Sequence, residues 1–189
     1  RYPLTDIPIV VSFHGYDASK ELVSNKNYVK RLKKILSQRN IFPVFCTSSF
    51  KTNLEKFDIE FFNEPKILPY GVSIPEKRSV EKEVDNETLF VQVSSFVQKK
   101  GHFVTIDAFE LFLKNTNRKA RLIFGGGGDR LQSVRDYAEK KGLGNEVEFK
   151  GWMSQDEIQD LLAQADVFVH HSIVDDNGDT EGLPNAILE

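Results

Sequence analysis

Apolar and polar residues recur along the chain in two periods, one typical of strands and one typical of helices. In the first third, short runs of β-branched and aromatic residues predict strands at 7–13, 42–46 and 66–70. Between them, Val29, Leu32, Ile35 and Leu36 are spaced as on one face of a helix over 28–38. A second helix is predicted over 48–57, with Ser48 as its cap. The predicted order is therefore β-α-β-α-β.

The same alternation returns after a polar stretch. Residues 73–87 are rich in charge and have no hydrophobic periodicity, so we predict a linker over 76–87. Beyond it, strands are predicted at 89–93, 120–124, 147–150 and 167–171. Helices are predicted at 102–114, 129–141 and 155–164, with another beginning at Pro184. Strands that alternate with helices in this way indicate parallel sheets covered by helices on both faces.

Composition narrows the class of protein. The chain has 189 residues, 40% of them hydrophobic, and a net charge of −3, which suits a soluble α/β protein and gives no support for nucleic-acid binding. Its one cysteine, Cys46, excludes an internal disulfide and indicates a reducing, cytoplasmic location. No run of roughly 20 apolar residues is present. Because the chain begins at Arg1 and stops within a predicted helix, we expect a piece truncated at both ends.

The last nine residues carry the strongest chemical signal. Pro184 suits the first turn of a helix, so the turn before it would direct free backbone amides towards an anion such as phosphate. Two carboxylates, Glu181 and Glu189, flank this turn, and a carboxylate can accept two hydrogen bonds from the vicinal hydroxyls of a sugar. We expect Glu189 inside the helix, on the same face as Asn185. The candidate nucleotide-sugar ligands here are Gly182, Leu183, Pro184, Asn185 and Glu189.

This run resembles the E-x7-E signature of the family 4, or group 1, glycosyltransferases, which have the two-domain GT-B fold. The resemblance extends to residues 13–17, 67–72, 96–102, 122–127, 147–152 and 165–169. It implies two Rossmann-like parallel-sheet units: the end of an acceptor-side domain (1–75) and a nearly complete donor-binding domain (88–189). It also implies that Glu181 contacts the transferred sugar and that Glu189 contacts the ribose.

The resemblance assigns roles to three further positions. Lys100 falls where the family keeps a lysine against the diphosphate, and His14 falls where a histidine approaches the donor. Five residues before Lys100 the family usually has an arginine, but this chain has Ser95. Without a guanidinium there, either Lys99 takes over phosphate binding or turnover is weak. The catalytic candidates are therefore Glu181, Lys100 and His14.

The glycine run after the second predicted strand of the donor domain is a further candidate. Gly125, Gly126 and Gly127 would allow the backbone to approach the nucleotide closely, and Arg130 replaces the last glycine of a dinucleotide-binding fingerprint. Two histidines, His170 and His171, make a poor metal site because neighbouring strand residues point to opposite faces. The resemblance implies no metal and no other cofactor.

The implied function is transfer of a sugar from a nucleotide-diphosphate sugar to a hydroxyl acceptor with retention of configuration, in polysaccharide or glycolipid synthesis. The acceptor would be a sugar or a lipid-linked sugar. Peripheral contact with the inner face of a membrane is a further possibility, through the basic face of the 28–38 helix. Two alternatives stay open: a sugar-nucleotide epimerase of the same architecture, and a non-catalytic piece that binds nucleotide sugar but turns over nothing by itself.

Overall fold

The structure, a computed structural model, describes residues 7–72 and 87–189, which divide into two units. Of the described residues, the first unit comprises 7–72 and Val174–Asn185, and the second comprises 87–173 and Ala186–Glu189. The predicted linker over 76–87 lies outside the described residues, apart from Glu87. That residue already belongs to a strand, where it pairs with Lys119.

Seven strands and seven α-helices are present in the described residues. The strands are β1 (Ile9–Phe13), β2 (Ile41–Phe45), β3 (Lys66–Ile67), β4 (Glu87–Val93), β5 (Lys119–Gly125), β6 (Val147–Gly151) and β7 (Val167–Phe168). The helices are α1 (Lys20–Ser24), α2 (Lys26–Leu36), α3 (Ser48–Glu55), α4 (His102–Asn115), α5 (Leu131–Lys140), α6 (Gln155–Gln164) and α7 (Asn185–Leu188). Two short 3₁₀ turns, Tyr16–Ala18 and Gln98–Lys100, follow β1 and β4.

The first unit has a three-stranded parallel sheet in the order β1-β2-β3. Phe13 of β1 stacks on Phe45 of β2 with ring centroids 4.8 Å apart. Leu36 of α2 and the buried Phe50 of α3 belong to the same core. The predicted β-α-β-α-β order is confirmed. Basic side chains predicted on the outer face of α2 are exposed; they are Lys30, Arg31, Lys33 and Lys34.

The second unit has a four-stranded parallel sheet in the order β6-β5-β4-β7. Successive residues of a strand point to opposite faces, so β5 contributes to two cores. Leu122 and Phe124 pack with residues of α4 and α5, whereas Ile123 packs with Val91 and with Leu161 of α6. Helices therefore cover both faces, as predicted for a Rossmann-like unit.

Several predicted boundaries are wrong. Strand β3 ends at Ile67 instead of Tyr70, and α2 begins and ends two residues earlier than predicted, at Lys26 and Leu36. The cap of α3 is Thr47, in extended geometry, and Ser48 is already helical. Strand β7 ends at Phe168 instead of continuing to His171. Helix α7 begins at Asn185 instead of Pro184, and its described residues run to Leu188.

Among the residues that the structure describes, no helix combines the length and the apolar character needed to cross a bilayer.

Helix α6 begins with a reciprocal cap that should be measurable. The hydroxyl of Ser154 accepts from the backbone N–H of Glu157, whose carboxylate accepts from the Ser154 N–H at 2.7 Å. We expect Ser154→Ala to lower the free energy of unfolding by about 1 kcal/mol. Thr47→Ala is the matched control, because the Thr47 hydroxyl makes no capping hydrogen bond to a backbone N–H of α3 and pairs only with the hydroxyl of Ser49 at 3.3 Å. Equal losses in urea denaturation of the two variants would contradict this account.

Candidate active site

A buried side chain of strand β4 holds the loop that carries Lys100, residues 97–101, by a hydrogen bond. We call this loop the lysine loop. The side-chain amide of Gln92, a fully buried residue of β4, donates to the carbonyl of Lys100 at 3.0 Å and to the hydroxyl of Ser94 at 3.3 Å. A buried amide that is hydrogen-bonded in this way fixes the backbone to which it donates. The backbone position of Lys100 is therefore set by β4.

The other side of the lysine loop packs against the chain that follows β7. Gly101 has a φ of 64°, and a Cβ at this position would overlap the carbonyl oxygen of His171. The N–H of Ile173 donates to the carbonyl of Lys99 at 2.9 Å. Only glycine combines this φ with so close an approach, so Gly101 lets the two loops meet.

Directly after the lysine loop, His102 is buried at the start of α4. Its ring stacks on Phe96 with centroids 4.1 Å apart, and its Nε2 lies 3.0 Å from the hydroxyl of Ser94. Burial, followed by the nearby charge of Lys100, lowers the pKa of His102 to about 4. His102 is therefore neutral near pH 7 and adds no second positive charge beside Lys100.

The turn between β5 and α5 lies on the backbone that leaves β4. We call residues 125–128 the glycine turn. Gly126 has a φ of 123°, and a Cβ there would overlap the carbonyl of Ser94. The N–H of Phe96 donates to the carbonyl of Gly127 at 2.9 Å. The glycines are needed for this contact, and together they form a surface at the carboxyl ends of β4 and β5, where ligands bind in sheets of this kind.

The second unit thus brings together most of the predicted phosphate-binding residues. Ser95 is exposed beside the glycine turn, and Lys100 is half-buried. Gly125 and Gly127 are buried, and Gly126 is half-buried. Glu189 also belongs to this unit and is exposed. No cluster of three histidine, cysteine or carboxylate side chains that could hold a metal occurs in the described ranges, 7–72 and 87–189.

In the first unit, His14 is held by a tyrosine and an aspartate. The ring of His14 stacks on Tyr70, and its Nδ1 lies 2.7 Å from the Tyr70 hydroxyl. The carboxylate of Asp17 accepts from the backbone N–H groups of His14 and Gly15 at 3.1 and 2.8 Å. Burial raises the pKa of Tyr70 to about 12, and Cys46 and Asp17 add to the increase. Tyr70 therefore stays protonated and orients the imidazole.

The acidic loop, residues 175–179, belongs to the same unit. The hydroxyl of Ser19 donates to the carboxylate of Asp179 at 2.8 Å. The carboxylate of Asp175 accepts from the N–H groups of Asn177 and Asp179 at 2.8 and 2.9 Å. A Cβ on Gly178 would come within 2.9 Å of Val23. These contacts hold the acidic loop against Ser19 and α1.

The predicted E-x7-E run divides between the two units. Glu181 is half-buried in the first unit, and its negative charge contributes to the raised pKa of Tyr70. Gly182 lies against the ring of Phe50, where any Cβ would overlap it. The remaining members of this end of the run are the half-buried Leu183 and Pro184 and the exposed Asn185. The first unit therefore groups Glu181 with Tyr70, and through Tyr70 with His14.

Sequence patterns alone do not identify Tyr70, Gln92 or His102 as members of these sites. Gln92 lies among apolar residues in the second half of β4, which is unusual because a buried polar side chain must find hydrogen-bond partners. His102 opens a helix and could equally be exposed. Tyr70 follows β3, the far strand of the order β1-β2-β3, and this order cannot be read from the sequence.

Comparison with known proteins identifies the family of the chain. The model of the family described as glycosyl transferases group 1 matches residues 73–189, which is more than half of the chain. The chain belongs to this family.

Relatives of this glycosyltransferase chain differ in how much of it they match. WcaL of Escherichia coli K12, named for colanic acid biosynthesis, is 32% identical over 99 residues, or 52% of the chain and 24% of WcaL. The amylovoran biosynthesis glycosyltransferase AmsK of Erwinia amylovora is 26% identical over 183 residues, or 95% of the chain and 44% of AmsK. The chain therefore spans less than half the length of either relative.

Solved structures give the same fold. The crystal structure of HepE from Anabaena aligns with a TM-score of 0.67 at 18% identity, covering 87% of this chain and 46% of HepE. At this identity the match supports the fold alone. It agrees with the two parallel-sheet units and with the GT-B-like architecture that the sequence predicts.

Burial of His102 predicts how the stability of this glycosyltransferase chain depends on pH. The folded chain has the lowered pKa of about 4, and the unfolded chain has the ordinary value of 6.5. Between these values the unfolded state binds more protons, so stability falls as the pH is lowered from 6.5 to 4, by at most about 3 kcal/mol. We expect His102→Gln to reduce this slope in urea denaturation. An unchanged slope in the variant would contradict the buried, neutral state.

Proposed function

We propose that the chain is the donor-binding part of a glycosyltransferase that moves a sugar from a nucleotide-diphosphate sugar to a hydroxyl acceptor, with retention of configuration. The observation that carries the proposal is the packing of the glycine turn, at the carboxyl ends of β4 and β5, against residues 94–96, which lead directly into the lysine loop. A cation and closely approachable backbone at one edge of a parallel sheet suit a diphosphate.

Lys100 has the central chemical role in this proposal. As the sugar leaves the donor, negative charge builds up on the nucleotide diphosphate, and a fixed cation lowers the barrier by stabilising that charge. The hydrogen bond from Gln92 to its carbonyl and the neutral state of His102 support Lys100 as that cation. No metal cofactor is part of the proposal. Ser95 cannot provide the bidentate contact of an arginine, which leaves more of the phosphate charge to Lys100.

The sugar side of the donor is assigned to residues of the first unit. Glu181 would accept hydrogen bonds from hydroxyls of the transferred sugar, and His14, oriented by Tyr70, would donate to the donor. Glu189 would accept from the ribose hydroxyls. These roles rest on the family resemblance and on the contacts within each unit.

The relatives support a role in polysaccharide synthesis. WcaL and AmsK are named for the biosynthesis of colanic acid and amylovoran, and HepE was crystallised with UDP and glucose. We propose a UDP-sugar donor, a sugar or lipid-linked acceptor and a cytoplasmic location. Contact of the basic face of α2 with a membrane stays a prediction.

Calorimetric titration of UDP-glucose and other nucleotide sugars into the chain tests donor binding. We expect Lys100→Gln to weaken binding about tenfold or more, because a hydrogen bond to a charged phosphate is lost. Lys119→Gln is the matched control: Lys119 begins β5, at the opposite end of the strand from the glycine turn, and its removal should leave affinity unchanged. We expect the same affinity with and without EDTA.

Three results would contradict the proposal. The first is that no nucleotide sugar binds, and the second is that Lys100→Gln and Lys119→Gln bind like the wild type. The third concerns the product that the whole protein forms. We expect NMR to show that the transferred sugar keeps the anomeric configuration that it had in the donor. An inverted product, or an epimerised nucleotide sugar formed without acceptor, would rule out the retaining transferase.

A further inference from the structure

Arg130 lies between the glycine turn and helix α5, at the capping position of the helix. The N-terminus of a helix carries a partial positive charge, and its capping position favours side chains that accept hydrogen bonds from free backbone N–H groups. A guanidinium can only donate, and the side chain of Arg130 makes no capping hydrogen bond. The stability of α5 therefore does not account for an arginine at this position.

The backbone of Arg130 is held beside the chain that leaves β4. Its N–H donates to the carbonyl of Phe96 at 3.1 Å. Two residues earlier, a Cβ on Gly128 would lie 2.8 Å from the same carbonyl oxygen, so the two segments are in close contact. Consecutive Cα atoms are about 3.8 Å apart, and Ser95 directly precedes Phe96. The long side chain of Arg130 therefore starts close to Ser95 and to the beginning of the lysine loop.

The guanidinium of Arg130 has no partner among the residues that the structure describes. It forms no hydrogen bond, ion pair or ring contact with any part of 7–72 or 87–189. Arg121 of the same unit, by contrast, pairs with the carboxylate of Glu87 at 2.6 Å. Arg130 is nevertheless half-buried, so its charge is kept near the protein surface. A half-buried cation without an internal partner, at the positive end of a helix, favours an anion from solution.

We propose that the guanidinium of Arg130 binds the diphosphate of the donor together with Lys100. This inference rests on the proposed function, because it takes a nucleoside diphosphate as the ligand. A diphosphate carries several negative oxygens, and a planar guanidinium can bind two of them side by side. Ser95 has no charge to offer at this edge of the sheet, so Arg130 supplies the bidentate contact that Ser95 cannot make. The diphosphate then meets one cation from the lysine loop and one from the start of α5.

Titration of UDP by calorimetry and of uridine by ligand-observed NMR tests this role. We expect Arg130→Gln to weaken UDP binding about tenfold or more, because hydrogen bonds to a charged diphosphate are lost, and to leave uridine binding unchanged. Arg130→Lys should have an intermediate affinity for UDP, since an ammonium keeps the charge but loses the fork. Arg118→Gln is the matched control. Arg118 is exposed just before β5, at the opposite end of that strand from the glycine turn, and this variant should bind UDP like the wild type.

A second substitution separates contact with the diphosphate from a structural role. If Arg130 provides the charge that Ser95 lacks, then adding Ser95→Arg to Arg130→Gln should restore most of the lost affinity for UDP. Urea denaturation should show that Arg130→Gln is at least as stable as the wild type, because a cation at the positive end of α5 is removed.

The outcomes separate this inference from the proposed function. If the wild type binds UDP and Arg130→Gln binds it equally well, the role of Arg130 is wrong and the donor site stands. A loss of affinity that is the same for uridine as for UDP would also overturn the inference. So would a loss that comes with lower stability in urea and that Ser95→Arg does not restore, because Arg130 would then be a structural residue. If the wild type binds no nucleotide, the proposed function fails and this inference fails with it.

Discussion

The contact on which the candidate donor site depends is the approach of the glycine turn to the backbone that leaves β4. Gly126 lies against the carbonyl of Ser94, and a Cβ on Gly128 would lie within 3.0 Å of the backbone of Phe96. Two further hydrogen bonds secure it, from the N–H of Phe96 to Gly127 and from the N–H of Arg130 to Phe96. Neither φ at Gly126 nor φ at Gly128, 123° and 149°, suits a residue with a side chain.

Other parts of the second unit follow from this contact. With the chain after Ser94 fixed, Phe96 can stack on His102, and the buried Gln92 can hold the carbonyl of Lys100. The lysine loop and the glycine turn then share one edge of the sheet, where the carboxyl ends of parallel strands leave room for a ligand. In the first unit, contacts with other residues likewise fix a candidate side chain. The carboxylate of Asp17 accepts from the backbone N–H of His14, and the Tyr70 hydroxyl lies within hydrogen-bond distance of its ring.

Much of this organisation can be predicted from the sequence, because burial leaves a periodic pattern. Alternating strands and helices, parallel pairing and helices on both faces follow from that pattern and are present. The glycine turn was also predictable, because consecutive glycines after a buried strand have few other uses. Residues that act through contacts between distant segments could not be found this way. Tyr70 reaches His14 across 56 positions, and Ser19 reaches Asp179 across 160.

The run from Glu181 to Glu189 shows a second limit. Its spacing indicates the family, but it does not show which side chains each carboxylate faces. Glu181 belongs to the first unit and its charge acts on Tyr70, whereas Glu189 belongs to the second unit. Such groupings depend on contacts between distant segments.

The central claim is that the lysine loop and the glycine turn together bind the diphosphate of the donor. An NMR titration of the ¹⁵N-labelled chain with UDP-glucose tests it most directly. The account predicts that the largest amide shift changes occur at residues 97–101 and 125–128. Saturable binding that leaves these amides unchanged and instead shifts those around Lys119 and Glu146, which line a cavity at the opposite ends of the strands, would contradict it.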